Sequence, residues 1–388
     1  MASDNIVVVG DGSISEYADP TTSHVFGTVK NITYWDEHVY DIETPDKIRS
    51  IEFINVIELT DQKLAEIIVK FLGVNRLALR GCDDFTSMLS SFMAMKSKIN
   101  LKKFEVIDCP ISCMIDMFQQ KSIEEIIFSG VRTTYFENLR MEIMKGYPIK
   151  KLTITNTSFN DYDLKLLIGS ISNRDLSLLN LSNNEITDFA NAVTLLGHGN
   201  IEELDLSGNV FSRYTENFAY NGEEQRGATN TIKRIYKGPI IPRAVKMDGC
   251  FKHPDVIDCI KRCNIVFSEK LQLEYFSARN NNFQKMTEFN DLFLLKYLTK
   301  VKIIDVSDSN IIDIGNVEDV ARATTLAASN PGIINISGNP ILDPRHLNGL
   351  PKITFTSGSF AYVFLNQQKY NAHLKNSDLG RYIFDRTE

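Results

Sequence analysis

Leu176-Ser-Leu-Leu179-Asn-Leu181-Ser-Asn-Asn184-Glu-Ile186 is followed by Ile201-Glu-Glu-Leu204-Asp-Leu206-Ser-Gly-Asn209-Val-Phe211. Both stretches read L-x-x-L-x-L-x-x-N-x-Φ, with Ile standing for Leu at 201 and Φ apolar, and their asparagines stand 25 residues apart. A phrase that returns at such a period is one structural coil written repeatedly. Apolar residues alternating with polar ones inside the phrase give the period-2 signal of a strand with one buried face. The Asn falls where the chain bends away from the strand. Its amide can satisfy backbone groups that the turn leaves unpaired, each of which costs ~1–3 kcal/mol if buried alone. Asn184→Leu or Asn209→Leu is therefore expected to destabilise the fold.

With the Asn position as anchor, apolar residues eight, five and three places before it recur along the chain. Val74, Leu77 and Leu79 lead to Cys82; Leu101, Phe104 and Val106 to Cys109; Ile123, Ile126 and Phe128 to Val131; and Ile149, Leu152 and Ile154 to Thr157. Beyond Asn209, Val245 and Met247 lead to Cys250, Leu273, Phe276 and Ala278 to Asn281, Val301, Ile304 and Val306 to Ser309, and Ile334 and Ile336 to Asn339. A last match runs from Leu350, Ile353 and Phe355 to Gly358, and a poorer first one from Ile51, Ile54 and Val56 to Leu59. The segments between strands read as helices. Residues 61–72 carry apolar side chains at 64, 67, 68, 71 and 72, and 161–168 and 317–326 behave alike, with acidic residues in the first turn.

These phrases resemble the leucine-rich repeat, in its helix-backed, ribonuclease-inhibitor-like branch. The resemblance covers about residues 50–360 and implies an α/β solenoid, a horseshoe with a parallel concave β-sheet and a helical convex side. It implies a protein partner on the concave face. Residues 1–50 are expected to cap the N-terminal end and 361–388 the C-terminal end, because an open solenoid end exposes apolar surface. Anchors Asn209 and Cys250 are 41 residues apart. The expanded coil at about 212–249 holds Tyr214 and Tyr220.

Positions six, four and two before each anchor are expected to line the concave face. Most are small and polar, as a crowded parallel sheet requires. Uniformity fails at Glu203, Asp205, Lys246, Asp248, Tyr275 and Arg279, with Asp305 alongside; mixed charge with Tyr and Arg is an interface composition. These residues, together with Tyr214 and Tyr220, are the expected partner-binding set, and charge reversal at Asp205 or Arg279 is expected to weaken binding.

Other chemistries have little support. The net charge of −7 over 388 residues argues against a duplex-binding surface. No run reaches the ~20 apolar residues of a membrane span. Cys250, His253, Cys259 and Cys263 lack the two tight ligand pairs of a zinc site, and the cysteines read as buried thiols. Gly10-Asp-Gly12 has no phosphate-loop lysine, and none of the six histidines sits in a catalytic phrase. No metal, cofactor, nucleic acid or enzyme activity is expected. The start has no basic leader, and six cysteines without framework spacing suit a reducing compartment. A cytoplasmic monomer is the expectation, with signal-free export as a microbial effector acting on a host protein as its variant. The second reading is an activating protein for a small GTPase, with Arg80 or Arg132 reaching the nucleotide.

Overall fold

A computed structural model describes residues 4–9, 24–26, 47–56, 64, 70–82, 100–110, 122–131, 148–171, 175–197, 200–213, 224–226, 232–234, 242–253, 273–284, 302–312, 332–340 and 360–364. The chain divides into two compact units, Met1–Asn184 and Glu185–Glu388.

The first unit is built on β1 (Asp4–Val9), β2 (His24–Phe26), β3 (Ile48–Ile54), β4 (Arg76–Arg80), β5 (Lys103–Ile107), β6 (Glu125–Ser129), β7 (Lys151–Thr155) and β8 (Asp175–Asn180). They lie in the order β2-β1-β3-β4-β5-β6-β7-β8, every pair parallel. The second unit carries β9 (Asn200–Asp205), β10 (Glu224–Arg226), β11 (Ile232–Arg234), β12 (Ala244–Lys246), β13 (Tyr275–Ser277), β14 (Ile303–Asp305), β15 (Gly332–Asn335) and β16 (Phe360–Phe364). Its parallel sheet runs β9-β12-β13-β14-β15-β16. Each unit is thus a parallel-strand solenoid of repeated coils. Because β9 pairs directly with β12, the chain between them makes one excursion, within which β10 and β11 form an antiparallel pair. Tyr214 and Tyr220 lie outside the described residues.

Two helices are described, α1 (Asp161–Ile171) and α2 (Phe189–Gly197). Asn160 caps α1. Its Oδ1 accepts from the Tyr162 N–H at 2.8 Å, while Asp163 Oδ2 accepts from the Asn160 N–H at 3.1 Å, a reciprocal N-terminal lock. Leu164, Leu167, Ile168 and Ile171 turn inward. Of the helix expected at 61–72, Leu64 and Lys70 are helical and most of the rest lies outside the described residues, as does 317–326. Described helices therefore back only part of the coils.

From Val74 to Ile336 every described apolar anchor-frame residue is buried, so the eight-five-three register holds there. Behind the turns of the second unit, Phe211, Phe251 and Phe283 stack with ring centroids 5.5 and 5.7 Å apart, and Phe189 meets the first two at 5.2 and 5.4 Å. Two matches move. Ile51 faces Leu77 and Phe53 faces Leu79, so the first repeat is Ile48, Ile51 and Phe53 leading to Val56, three residues earlier than Ile51, Ile54, Val56 and Leu59. At the other end, the strand beside β15 is β16, with Ile334 opposite Val363; the match at 350–358 does not supply it.

A second column fixes this register. The residue just before each anchor has positive φ in every one of eleven coils: Asn55, Gly81, Asp108, Gly130, Asn156, Asn183, Gly208, Gly249, Asn280, Asp308 and Gly338. Only Gly, Asn and Asp visit this conformation cheaply, and the column contains nothing else. A Cβ on Gly130 would also lie 1.9 Å from Asp108 Oδ1 of the preceding coil. Gly130→Ala should therefore lower stability by about 2 kcal/mol, read from urea unfolding. Combining it with Asp108→Gly should recover the steric share and leave the strain.

The anchors bind coil to coil. Asn184 Oδ1 accepts from the Thr157 N–H (3.0 Å) and hydroxyl (2.9 Å), while its Nδ2 donates to the carbonyls of Ile154 (2.7 Å) and Leu181 (2.9 Å). Asn281 and Asn339 repeat the arrangement toward the coils before them. Every one of these amides therefore satisfies turn groups of two coils at once.

Candidate functional site

The sheet face opposite the core carries the residues six, four and two before each anchor. In the second unit it brings together most of the expected set. Lys246 faces Asp205 on one side and Ser277 on the other, and Ala244, flanked by Glu203 and Tyr275, precedes it on the same strand. Glu203, Asp205, Lys246, Asp248 and Arg279 are half-buried.

Their hydrogen bonds separate structural roles from available ones. Asp205 Oδ1 accepts from the Ser207 N–H at 2.9 Å. Asn180 with Ser182, Asp305 with Ser307 and Asn335 with Ser337 make the same bond, so an Asn or Asp at this position closes the end of the strand in coil after coil. Asp305 goes further. It is 1% exposed, and its Oδ1 also accepts from the Ser307 hydroxyl (2.8 Å) and Asn335 Nδ2 (3.0 Å). Asp248 Oδ1 accepts from the Ser277 hydroxyl and the Arg279 N–H. Burial raises the Asp248 carboxyl against those bonds.

Arg279 Nε donates to Ser307 Oγ at 3.0 Å, and its guanidinium lies 4.0 Å from Asp305 and 3.8 Å from Asp308. Burial opposes its charge, but Asp305 and Asp248 outweigh that and hold its pKa above the usual guanidinium value. Charge reversal at Arg279 would thus gather like charges and disturb the fold; neutralising Lys246 is the cleaner probe. Tyr275 is 7% exposed, and burial with the nearby Asp305 and Asp248 charges pushes its phenol up. Asp305 and Tyr275 are buried members of the patch, and Glu203, Asp205, Lys246 and Asp248 form its accessible part.

The first unit carries a charged cluster absent from the expected set. Arg76 donates to both carboxylate oxygens of Glu105, at 2.9 and 3.1 Å, and lies 3.2 Å from Glu52. Arg80 bonds Glu52 and reaches Glu105 at 3.4 Å. Lys103 joins Glu105 (3.0 Å) to Glu125 (2.8 Å), and Lys151 stands 3.9 Å from Glu125. The signal was present in the sequence, because positions six, four and two before Cys82 and Cys109 include Arg76, Arg80, Lys103 and Glu105. Arg80 sits at the end of β4 in this cluster, and Arg132 lies outside the described residues.

Seven places before the anchor, charges alternate over two runs of consecutive coils. Lys102, Glu124 and Lys150 pair at 2.8 Å each in the first unit. Glu202, Arg243, Glu274 and Lys302 pair at 3.1–3.4 Å in the second. The two lysines hold the Glu124 carboxyl down at about 2. This row is half-exposed to exposed and partly screened, so it selects coil neighbours more than it stabilises them.

Among the described residues no group of three or more His, Cys, Asp or Glu is placed to hold a metal, and no helix is long and apolar enough to cross a membrane. Cys250 fills an anchor slot, donating to the Leu206 carbonyl at 3.1 Å, and burial pushes its thiol well up; Cys259 and Cys263 lie outside the described residues. The chain matches no protein-family model and no curated protein.

Proposed function

We propose that the chain is a non-enzymatic protein-binding scaffold, a divergent leucine-rich-repeat solenoid whose partner docks on the sheet face of the second unit. One observation carries this reading: Glu203, Asp205, Lys246 and Asp248, of both signs, stand half-exposed on the adjacent strands β9 and β12 and the turn after β12. Hydrogen bonds to Ser207, Ser277 and the Arg279 N–H already fix both Asp side chains, so little ordering entropy is lost on association. The chain leaving β9 returns to the sheet as the neighbouring strand β12, and in this reading the coil at 212–249 takes part in the contact.

A regulator of a small GTPase needs an arginine able to reach a nucleotide. Arg80 bonds Glu52 and Glu105, which favours the scaffold.

Lys246→Met should lower affinity for a partner captured by the wild-type chain about tenfold, measured by calorimetry or surface binding. That corresponds to ~1.4 kcal/mol, within the range of a central interface charge. The melting temperature should stay within a degree or two. Undiminished affinity would place the contact surface elsewhere.

A further inference from the structure

Of the eleven anchors, only Cys82 and Cys109 put cysteine on two consecutive coils. Their strands pair in register, with Arg80 opposite Ile107 two residues before each thiol. Neighbouring parallel strands lie ~4.8 Å apart, within the Cα range that a disulfide spans. The Cys109 sulfur already lies against the next coil's cysteine: the Cys82 N–H donates to Cys109 Sγ at 3.3 Å. Both are reduced. Each makes only a weaker part of the bonds an anchor amide would make. Cys82 donates weakly to the carbonyls of Phe53 (3.5 Å) and Arg80 (3.4 Å), and Cys109 to that of Ile107 (3.2 Å).

We propose that Cys82 and Cys109 are an inter-coil redox pair, converted by hydrogen peroxide into a disulfide that ties consecutive coils. The neighbouring Cys82, through its thiol and the N–H that donates to Cys109 Sγ, draws the Cys109 thiol down while its own thiol is pushed up, which makes Cys109 the attacking sulfur. Cys109 sulfur attacks one peroxide oxygen, the O–O bond breaks, and water leaves with the transferred proton. Cys82 sulfur then displaces hydroxide from the resulting sulfenic acid, which takes up the Cys82 proton and leaves as a second water. Two thiols and one peroxide give one disulfide and two waters. Both sulfurs are at most 1% exposed, so oxidation proceeds through local opening and is slow.

The test treats the folded full-length chain with hydrogen peroxide, alkylates remaining thiols, digests it and sequences the linked peptides by fragmentation. The expected product is Cys82–Cys109, two mass units lighter, reversed by dithiothreitol and accompanied by a melting-temperature rise of roughly 5–10 °C. Fragmentation also separates a link through Cys109 from one through Cys113 in the same tryptic peptide. Cys82→Ser should abolish both link and rise. Serine fits this slot, since Ser309 occupies the equivalent anchor fully buried. A link to Cys113 instead, oxidation of Cys109 without a link, or a link formed only after denaturation would overturn the proposal.

Discussion

Asn281→Leu should cost the second unit about 3–6 kcal/mol, read as a fall in the urea midpoint. Asn281 is 1% exposed. Its Oδ1 accepts from the Phe251 N–H at 2.7 Å, and its Nδ2 donates to Met247 O (3.1 Å) and Ala278 O (2.7 Å). Leucine fills a similar volume, so the loss is polar and not a cavity. Three buried backbone groups on two coils would lose these bonds at ~1–3 kcal/mol each. A cost below about 1 kcal/mol would mean that water reaches these groups and the turn is not closed.

Glu105→Gln should destabilise the first unit by about 3 kcal/mol at neutral pH, the range for breaking a buried charge pair. Glu105 is 3% exposed and receives Arg76, Arg80 and Lys103 together. Glutamine keeps the shape but leaves three cations sharing fewer carboxylates. Burial raises the Glu105 carboxyl, yet the hydrogen bond and charge of Arg76, with those of Lys103, outweigh it and the net shift is downward. A carboxyl whose folded pKa lies below its unfolded value of 4.5 contributes stability above that value. The contribution disappears as pH falls through the folded pKa. Wild type should thus lose its advantage over Glu105→Gln as pH falls below about 4.5 and on through the folded value, until the two converge. Parallel curves across that window would show that Glu105 is not the charge holding the cluster.

The coils from Val74 to Asn339 were legible because leucine-type residues at fixed offsets permit only one buried face. The ends were less so. Residues 48–56 are apolar often enough that Ile48-Ile51-Phe53 and Ile51-Ile54-Val56 both satisfy the spacing. Backbone chemistry discriminates. Val56 is preceded by Asn55, which tolerates positive φ, whereas Leu59 would require it of Glu58. Gly358 fails likewise, since Ser357 precedes it. The mixed-charge patch was legible as a location, because Lys246 and Arg279 interrupt a column of small residues. Availability was not. A letter cannot show that Asp305 is consumed by Ser307 and Asn335, or that Arg76 and Glu105 meet across 29 residues of sequence.

The stacking of consecutive coils through their anchors is tested most directly by a double-mutant cycle between Asn184 and Thr157. These residues are 27 apart in sequence and joined by two hydrogen bonds, of 2.9 and 3.0 Å. Asn184→Ala, Thr157→Val and the combination, each unfolded in urea, should give a coupling energy of about 1–2 kcal/mol. Strict additivity, with coupling under about 0.3 kcal/mol, would contradict the stacked register on which the fold and the proposed partner surface both rest.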